Sequence, residues 1–317
     1  MRIIFLGTPA FAVPSLDILV RNGYDIAAVI TAPGKQAGRG LQVKQSAIKE
    51  YADTKGIKTF QPLKLNDPEF LEDVRSLKAD LQIVVAFRMM PEALWSMPPH
   101  GTINLHGSLL PNYRGAAPIN RAIMNGEHKT GVTTFFLKHE IDTGNILFRT
   151  EIPIGPDTTA GELHDEMMQV GAELILKTVK AIEDGTAAEL PQQNFVMDGE
   201  ILKPAPKLFP EDFKIDWNHT AGSIHNQIRG LSPFPGAFTG LTDQAGNRIQ
   251  LKIYRSNLSG IPSSQLPGTL SFDGGKLLIS CNGSLLEILE LQQEGKKRMD
   301  AKSFLLGFRK DKGWKAA

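Results

Sequence analysis

The chain has a single cysteine, almost no net charge and no long apolar run, and each scarcity excludes a class of protein. Cys281 cannot form a disulfide within the chain, which fits a reducing compartment. The first residues, MRIIFLGTP, contain too short an apolar run for a signal peptide, and no later run approaches the roughly 18 apolar residues of a membrane helix. We therefore expect a cytoplasmic protein that does not enter a membrane.

Patterns typical of metal sites are also missing. The seven histidines form no HExxH motif, and one cysteine allows no CxxC motif, so we expect no bound metal. At 317 residues the chain is longer than one core usually supports, and its apolar share of 41% is ordinary for a globular protein. Two domains are therefore expected.

The net charge of +1 conceals an uneven distribution along the chain. Residues 1–206 contain 20 Lys and Arg against 24 Asp and Glu, whereas residues 207–317 contain 15 against 10. The two balances are therefore −4 and +5. Such a split favours one domain that binds a polyanion and another that performs chemistry, although an ordinary solvated surface is equally compatible with it.

Short apolar runs alternate with helical patterns along the first two hundred residues. The predicted strands are RIIFLG, DIAAVIT, DLQIVVAF and GTINLHG. Runs this uniformly apolar, separated by helices, are typical of parallel strands covered on both faces. The pattern predicts a doubly wound, Rossmann-like, mostly parallel α/β domain over residues 1–188, whose ligands bind beyond the carboxyl ends of the strands.

The composition changes after residue 188. Residues 189–206 contain prolines and little periodicity, which predicts an ordered linker on the surface. In residues 207–317, one helical pattern precedes short strands that are separated by Gly, Asn and Pro turns. This spacing predicts a small, OB-like β-barrel as the C-terminal domain.

The stretch NLHGSLLPNYRGAAP, residues 104–118, places many polar side chains at the end of a predicted buried strand. Asn104 and His106 are two residues apart, so their side chains project to the same side of the strand. An amide donor beside an imidazole can polarise a carbonyl group and move a proton. The alternative is a histidine that only completes the hydrogen bonds of a strand end.

Asp142 begins an Asp-Thr-Gly turn between two predicted strands, GVTTFFL and ILFRTEI. A carboxylate at this position can orient His106 and support its charged form. The alternative is a residue that only forms the turn. Aspartic proteases share the Asp-Thr-Gly sequence, but that class is excluded because the chain is not all-β and has no second such turn.

NLHGSLLPNYRGAAPI followed by DTGNIL resembles the formyltransferases that use 10-formyltetrahydrofolate. The resemblance implies that Asn104, His106 and Asp142 are catalytic and that 10-formyltetrahydrofolate is the co-substrate. VVAFRMMPEALW is similar to the family's second folate-binding segment, although Phe and Arg stand where many members have Tyr and Gly. The resemblance assigns the following residues to the folate site: Ser108, Leu109, Leu110, Pro111, Phe87 and Arg88.

Two further segments resemble the family members that act on initiator methionyl-tRNA. GKQAGRGLQVKQS, residues 34–46, is similar to their loop at the tRNA acceptor end, with Arg39 at the key position and Lys35 and Lys44 beside it. A glycine-rich basic loop alone is usually flexible surface or a phosphate cradle. LELQQEGKKRMDAKSFLLGFR closely resembles the end of their C-terminal barrel.

The last of these segments contains the cationic cluster Lys296, Lys297 and Arg298. Phosphate contacts need only such charges, without any reading of bases, so the cluster is a predicted tRNA contact. A small barrel with a charged rim is also a common nucleic-acid platform. The alternative is a solvated basic surface.

The resemblance spans nearly the whole chain. It implies that a cytoplasmic monomer transfers a formyl group from 10-formyltetrahydrofolate to the α-amino group of initiator methionyl-tRNA. One alternative is a related enzyme acting on a small amine, such as an amino-sugar nucleotide or glycinamide ribonucleotide, and the two basic segments argue against it. The other is a non-catalytic RNA-binding protein, against which the intact Asn104, His106 and Asp142 argue.

Overall fold

The computed structural model describes residues 1–37 and 42–317. The chain forms two compact units, and each is assembled from separate segments. The first unit comprises Met1–Gly115, Thr130–Ile152 and His164–Pro204. The second comprises Ala116–Lys129, Pro153–Leu163 and Ala205–Ala317.

A seven-stranded sheet lies at the centre of the first unit. Its order is β5-β2-β1-β6-β7-β8-β9, with β1 (Arg2–Gly7), β2 (Asp25–Ile30), β5 (Thr59–Phe60), β6 (Leu81–Val85), β7 (Thr102–His106), β8 (Lys129–Phe136) and β9 (Ile146–Pro153). The pairs from β5 to β7 are parallel, whereas β7 and β8 are antiparallel. The predicted doubly wound, mostly parallel sheet is confirmed.

The apolar runs explain why these segments are central strands. β6 is buried at every position and β1 at five of six, as expected for strands covered on both faces. The helices of this unit are α1 (Val13–Arg21), α2 (Ala47–Thr54), α3 (Pro68–Ser76), α4 (Glu92–Trp95) and most of α6 (Ala160–Glu183), whereas α5 (Pro118–Met124) belongs to the second unit. Ser46 and Asp67 cap α2 and α3 by accepting backbone N–H groups, which secures both helix starts.

A separate antiparallel pair precedes α2. It consists of β3 (Lys35–Ala37) and β4 (Gln42–Lys44), with Lys35 opposite Lys44 in the register. This pair is part of the predicted basic loop.

The second unit is built on an antiparallel sheet of order β12-β13-β14-β11-β10-β16, with β15 paired to β14. A bridge between Thr269, just before β12, and Lys315 joins the two ends of this order, so the sheet curls into a half-barrel. The predicted small barrel is therefore confirmed. Its strands are β10 (Ala237–Thr242), β11 (Arg248–Pro262), β12 (Leu270–Asp273), β13 (Lys276–Ser280), β14 (Ser284–Gln293), β15 (Met299–Asp300) and β16 (Lys315–Ala316).

Two helices cover the apolar interior of the half-barrel. These are α7 (Ala221–Gly230) and α8 (Ala301–Gly307), which are capped by Thr220 and Asp300. Their buried residues join one core cluster with the strand residues, and each fully buried aliphatic side chain contributes about 1.5–3 kcal/mol. Within the described part of the chain, every helix is too short or too polar to cross a bilayer.

Candidate active site

β7 ends at the carboxyl edge of the parallel strands, beside the end of β6. Asn104 and His106 lie two positions apart on β7, opposite Phe135 and Thr133 of β8, and project to the same side. His106 is 7% exposed and Asn104 is half-buried. The Asn104 amide has no hydrogen-bond partner among the residues that the structure describes, so its N–H groups are available to a substrate.

The loop that follows β7 returns to hold the His106 ring. Nε2 lies 2.8 Å from the carbonyl oxygen of Tyr113. Since a carbonyl oxygen only accepts, Nε2 carries the hydrogen of this bond. Nδ1 faces Oδ2 of Asp142 at 3.8 Å, which is longer than a hydrogen bond. When the ring is protonated, Nδ1 also carries a hydrogen and can donate it to a substrate atom in the field of the carboxylate.

Asp142 lies in the loop between β8 and β9, with its backbone in the left-handed region at φ 55°. Its Oδ2 accepts a hydrogen bond of 3.0 Å from the backbone N–H of Gly115, and its side chain is 12% exposed. A Cβ atom at Gly144 would lie 1.6 Å from the carbonyl oxygen of Phe136, so this turn requires glycine. The Asp-Thr-Gly sequence thus turns the chain and also directs a largely buried carboxylate towards His106.

Two residues of the predicted folate loop point into the protein. Ser108 is fully buried, and its hydroxyl donates to the carbonyl oxygen of Asn112 at 2.7 Å. Leu110 is fully buried in a small apolar cluster under the loop. The Thr133 hydroxyl donates to the Ser108 carbonyl and accepts from the Leu110 N–H, at 2.6 and 3.2 Å. Ser108 and Leu110 therefore determine the shape of the loop.

The other four predicted folate residues lie on the loops that follow β6 and β7. Leu109 is half-buried and Pro111 is buried. Phe87 is half-buried, and Arg88 is exposed. The Arg88 guanidinium donates to the carbonyl oxygens of residues 62–63 at 2.5 and 3.1 Å. Arg88 thus fastens the loop after β6 to the loop after β5.

The predicted tRNA contacts lie in two places. Lys35 belongs to β3, and Lys44 is exposed in β4. Arg39 lies outside the described residues. Lys296 and Lys297 are exposed in the turn between β14 and β15, where solvent and solutes reach them.

Arg298, the sixth predicted contact, has partners within the protein. Its guanidinium donates to the Glu290 carboxylate at 2.5 and 2.6 Å and lies 4.3 Å from the centre of the Tyr254 ring. The Tyr254 hydroxyl donates to Gln292, whose amide donates to the carbonyl oxygen of Lys296, both at 2.8 Å. The turn is therefore braced from within, and the Arg298 charge is already paired.

Other reactive groups do not add to this cluster. Among the described residues, no three His, Cys, Asp or Glu side chains form a group that could hold a metal ion. Cys281 is buried in the half-barrel, and burial raises the pKa of its thiol to about 12. A thiol with so high a pKa is a poor nucleophile near neutral pH.

Gln192 is a site residue that no sequence pattern predicts. It belongs to the predicted surface linker, residues 189–206, most of which are exposed, yet Gln192 itself is only 2% exposed. Its amide donates to the carbonyl oxygens of Asp142 and Gly144, at 2.8 and 2.9 Å. Arg114 donates to its oxygen at 2.6 and 3.1 Å. The segment around Gln192 is aperiodic and rich in proline, so its sequence offered no signal.

Comparison with known proteins places both units in one family. The family model described as "Formyl transferase" matches residues 1–179, and that described as "Formyl transferase, C-terminal domain" matches residues 207–309. A methionyl-tRNA formyltransferase of Bacteroides fragilis is 46% identical over 309 residues, which are 97% of this chain and 95% of the relative.

Two solved structures share the fold at low sequence identity. An N-formyltransferase of Helicobacter canadensis, solved with folinic acid and dTDP-3-aminofucose, has a TM-score of 0.65 at 23% identity, over 90% of this chain and 98% of that one. HypX of Aquifex aeolicus, solved with tetrahydrofolic acid, has a TM-score of 0.63 at 17% identity. The match covers 97% of this chain but 47% of HypX, so this chain spans about half the length of that protein.

Proposed function

Because this chain belongs to the methionyl-tRNA formyltransferases, a branch of the folate-dependent formyl transferases, we propose that it transfers the formyl group of 10-formyltetrahydrofolate to the α-amino group of initiator methionyl-tRNA. The main observation in support of the proposal is that Asn104, His106 and Asp142 lie close together at the carboxyl edge of the sheet. The amino-sugar nucleotide and glycinamide ribonucleotide alternatives are not retained, because the 46% identity extends through the C-terminal unit.

Asn104 stabilises the charge that the reaction creates. The neutral α-amine attacks the formyl carbon, a C–N bond forms, and the formyl oxygen gains negative charge. An amide donor held on a strand, with no partner of its own among the described residues, suits that oxygen. Preorganised donors of this kind typically contribute about 10²- to 10³-fold to kcat.

His106 provides the second donor and a route for the proton. The bond from Nε2 to Tyr113 fixes the ring, so a protonated Nδ1 donates a charge-assisted hydrogen bond to the same formyl oxygen. Asp142, at 3.8 Å, supports this charge. When the bond between the formyl carbon and N10 of the folate breaks, the proton lost by the amine passes to N10 through this pair.

The loops after β6 and β7 form the proposed folate site. Leu109, Pro111 and Phe87 are the side chains that we assign to contact with the folate. The fully buried side chains of the loop after β7 act indirectly, because they determine its shape. Arg88 also acts indirectly, since its guanidinium is committed to carbonyl oxygens of the neighbouring loop.

Two basic elements are assigned to the tRNA. Lys296 and Lys297 are exposed and suit phosphate contacts, which add affinity without distinguishing sequences. Arg298 contributes by bracing their turn. The loop of residues 34–46, with Arg39, is assigned to the acceptor end, where it can distinguish one tRNA from another.

Formyl transfer from 10-formyltetrahydrofolate to initiator and elongator tRNAs, both charged with methionine, tests this function. We expect kcat/KM to favour the initiator by roughly 10- to 200-fold, the range of a discriminating contact of 1–3 kcal/mol. Arg39→Ala is expected to reduce this preference, whereas Lys55→Ala, an exposed lysine outside both basic elements, serves as its control. Transfer to an amino-sugar nucleotide with neither tRNA formylated would refute the proposal.

A further inference from the structure

Gln192 is a buried amide that joins two loops of the active site. It begins the 3₁₀ helix Gln192–Phe195 and is 2% exposed. Its Nε2 donates to the carbonyl oxygens of Asp142 and Gly144, and its Oε1 accepts from Nε and one terminal nitrogen of Arg114. An amide group offers two N–H donors and one oxygen acceptor, and all of them are used here.

These bonds connect Gln192 to the loop that carries Asp142 and to the loop that holds the His106 ring. Arg114 directly precedes Gly115, whose N–H donates to the Asp142 carboxylate at 3.0 Å. The residue before Arg114 is Tyr113, whose carbonyl oxygen holds the His106 ring at 2.8 Å. One side chain therefore anchors the loop that carries the carboxylate and also the loop that holds the imidazole.

Both loops adopt backbone conformations that need such an anchor. Asp142 has a φ of 55° and Tyr113 a φ of 61°, although neither is glycine. Non-glycine residues in this region cost of order 1–3 kcal/mol and persist only where the surroundings hold them. The two hydrogen bonds from Gln192 bracket the strained Asp142 turn and supply part of that support.

The same segment holds the loop after β7 at a second point. Asn112 donates to the Glu200 carboxylate at 2.7 Å and accepts from the backbone N–H of Lys203 at 3.0 Å. The backbone N–H of Met197 and then this Asn112 amide hold the pKa of Glu200 below its usual value, so the acceptor is ionised at neutral pH. The segment after α6 is thus a brace for the active-site loops.

We propose that Gln192 is a positioning residue for formyl transfer, because it holds the Asp142 loop where the carboxylate faces Nδ1 of His106. The inference rests on the proposed function, since Gln192 acts only through Asp142. Gln192 lies between the two matched segments, residues 1–179 and 207–309, and neither family match assigns it a place.

A double-mutant cycle separates positioning from general stabilisation. The kcat of formyl transfer is measured for the wild type, Gln192→Ala, Asp142→Asn and the double variant. We expect Gln192→Ala to lower kcat by about 10- to 100-fold, because a displacement near 1 Å at reacting groups costs up to about 10²-fold. KM for the tRNA is expected to change by less than about twofold, since no tRNA contact is removed. In the Asp142→Asn background, Gln192→Ala is expected to alter kcat by less than about threefold, because the carboxylate that Gln192 positions is already absent.

Two further variants keep the test independent of folding. Gln193→Ala removes an exposed glutamine next to Gln192 and is expected to keep the wild-type kcat. Gln192→Met keeps the size of the side chain without its hydrogen bonds, and it replaces Gln192→Ala if that variant does not fold. A folded Gln192→Met protein is expected to show the same loss of kcat at an unfolding midpoint close to that of the wild type.

Each outcome decides the proposal. A wild-type kcat in folded Gln192→Met, or equal losses from Gln192→Ala in both backgrounds, would overturn the positioning role and leave the proposed function intact. A wild-type kcat in Asp142→Asn would instead remove Asp142 from the catalytic cluster, and the proposal for Gln192 would fall with it.

Discussion

His106 and the loops 107–115 and 142–144 keep their charged and polar groups half-buried or buried, whereas the turn between β14 and β15 exposes its lysines. In the first region, His106 and Asp142 have side chains only 8% and 12% exposed, and backbone groups hold both. In the second, Lys296 and Lys297 are exposed. The two regions thus present polar groups to their proposed ligands in opposite ways.

The contrast follows from the two tasks. Catalysis stabilises charge that appears only in the transition state, so its groups must already be in place, and misplacement by about 1 Å is costly. Phosphate binding releases counterions and depends mainly on the number of charges nearby, so mobile side chains suffice. Groups held in place by hydrogen bonds within the protein therefore suit the chemistry, and exposed lysines suit the affinity.

The largest effects are expected at the buried region. His106→Ala and Asn104→Ala should each lower kcat by about 10²- to 10³-fold, with little change in KM for the tRNA, because both act on transition-state charge. Steady-state kinetics on charged initiator tRNA measures this. His100→Ala, which removes an exposed histidine of the same unit, should retain the wild-type rate. A raised KM with normal kcat in either active-site variant would contradict the assignment.

An intermediate effect is expected at the exposed turn. Replacing both Lys296 and Lys297 by Ala should weaken binding of all tRNAs alike and leave kcat at saturation unchanged. The slope of log affinity against log salt should become shallower by up to ~0.9 for each phosphate that the variant no longer neutralises. Salt titrations of binding measure this, and Lys55→Ala with Lys180→Ala removes the same charge elsewhere as a control. An unchanged slope would show that Lys296 and Lys297 do not contact phosphates and belong to ordinary solvated surface.

The smallest effect is expected at Arg298. This residue combines features of the two regions, because it is exposed like the lysines but is held by partners within the protein, as His106 and Asp142 are. Arg298→Ala should change the salt slope by less than about half the change expected for one lysine, since Glu290 already pairs its charge. Removing the interactions with Glu290 and the Tyr254 ring should loosen the turn by about 0.5–1 kcal/mol. Hydrogen exchange of the turn measures this. A slope change as large as that of a lysine would make Arg298 a direct phosphate contact.

Most of the fold was predictable because it depends on short-range patterns. RIIFLG and the apolar part of DLQIVVAF form β1 and β6, the central parallel strands, as their uniform apolarity predicted. The C-terminal turns at Gly and Asn separate antiparallel strands as expected. The antiparallel pairing of β7 with β8 was not predicted, since strand direction depends on the path of the chain between strands.

The site was predictable in part. The spacing of two residues placed Asn104 and His106 on one side of a strand, and the Asp-Thr-Gly turn singled out Asp142. The resemblance to the formyltransferases, a family that the comparisons confirm, implied the catalytic role of all three. The internal roles of Ser108 and Leu110 were not predicted, because a motif records residue types and not the directions of side chains. The sequence analysis also grouped Arg298 with its neighbouring lysines, because the contacts that distinguish it, such as the bond to Glu290, are visible only in the structure.

The sequence by itself determined which segments are the central strands, that the ends of β6 and β7 lie at one edge, and which family's chemistry the chain carries. These properties follow from periodicity and from contiguous motifs. Only the tertiary structure decided that a glutamine 50 residues beyond Asp142 holds its loop, and that the nitrogen of His106 facing the carboxylate is Nδ1. Hydrogen bonds between distant segments depend on where packing brings each backbone group, and no local pattern in the sequence encodes that position.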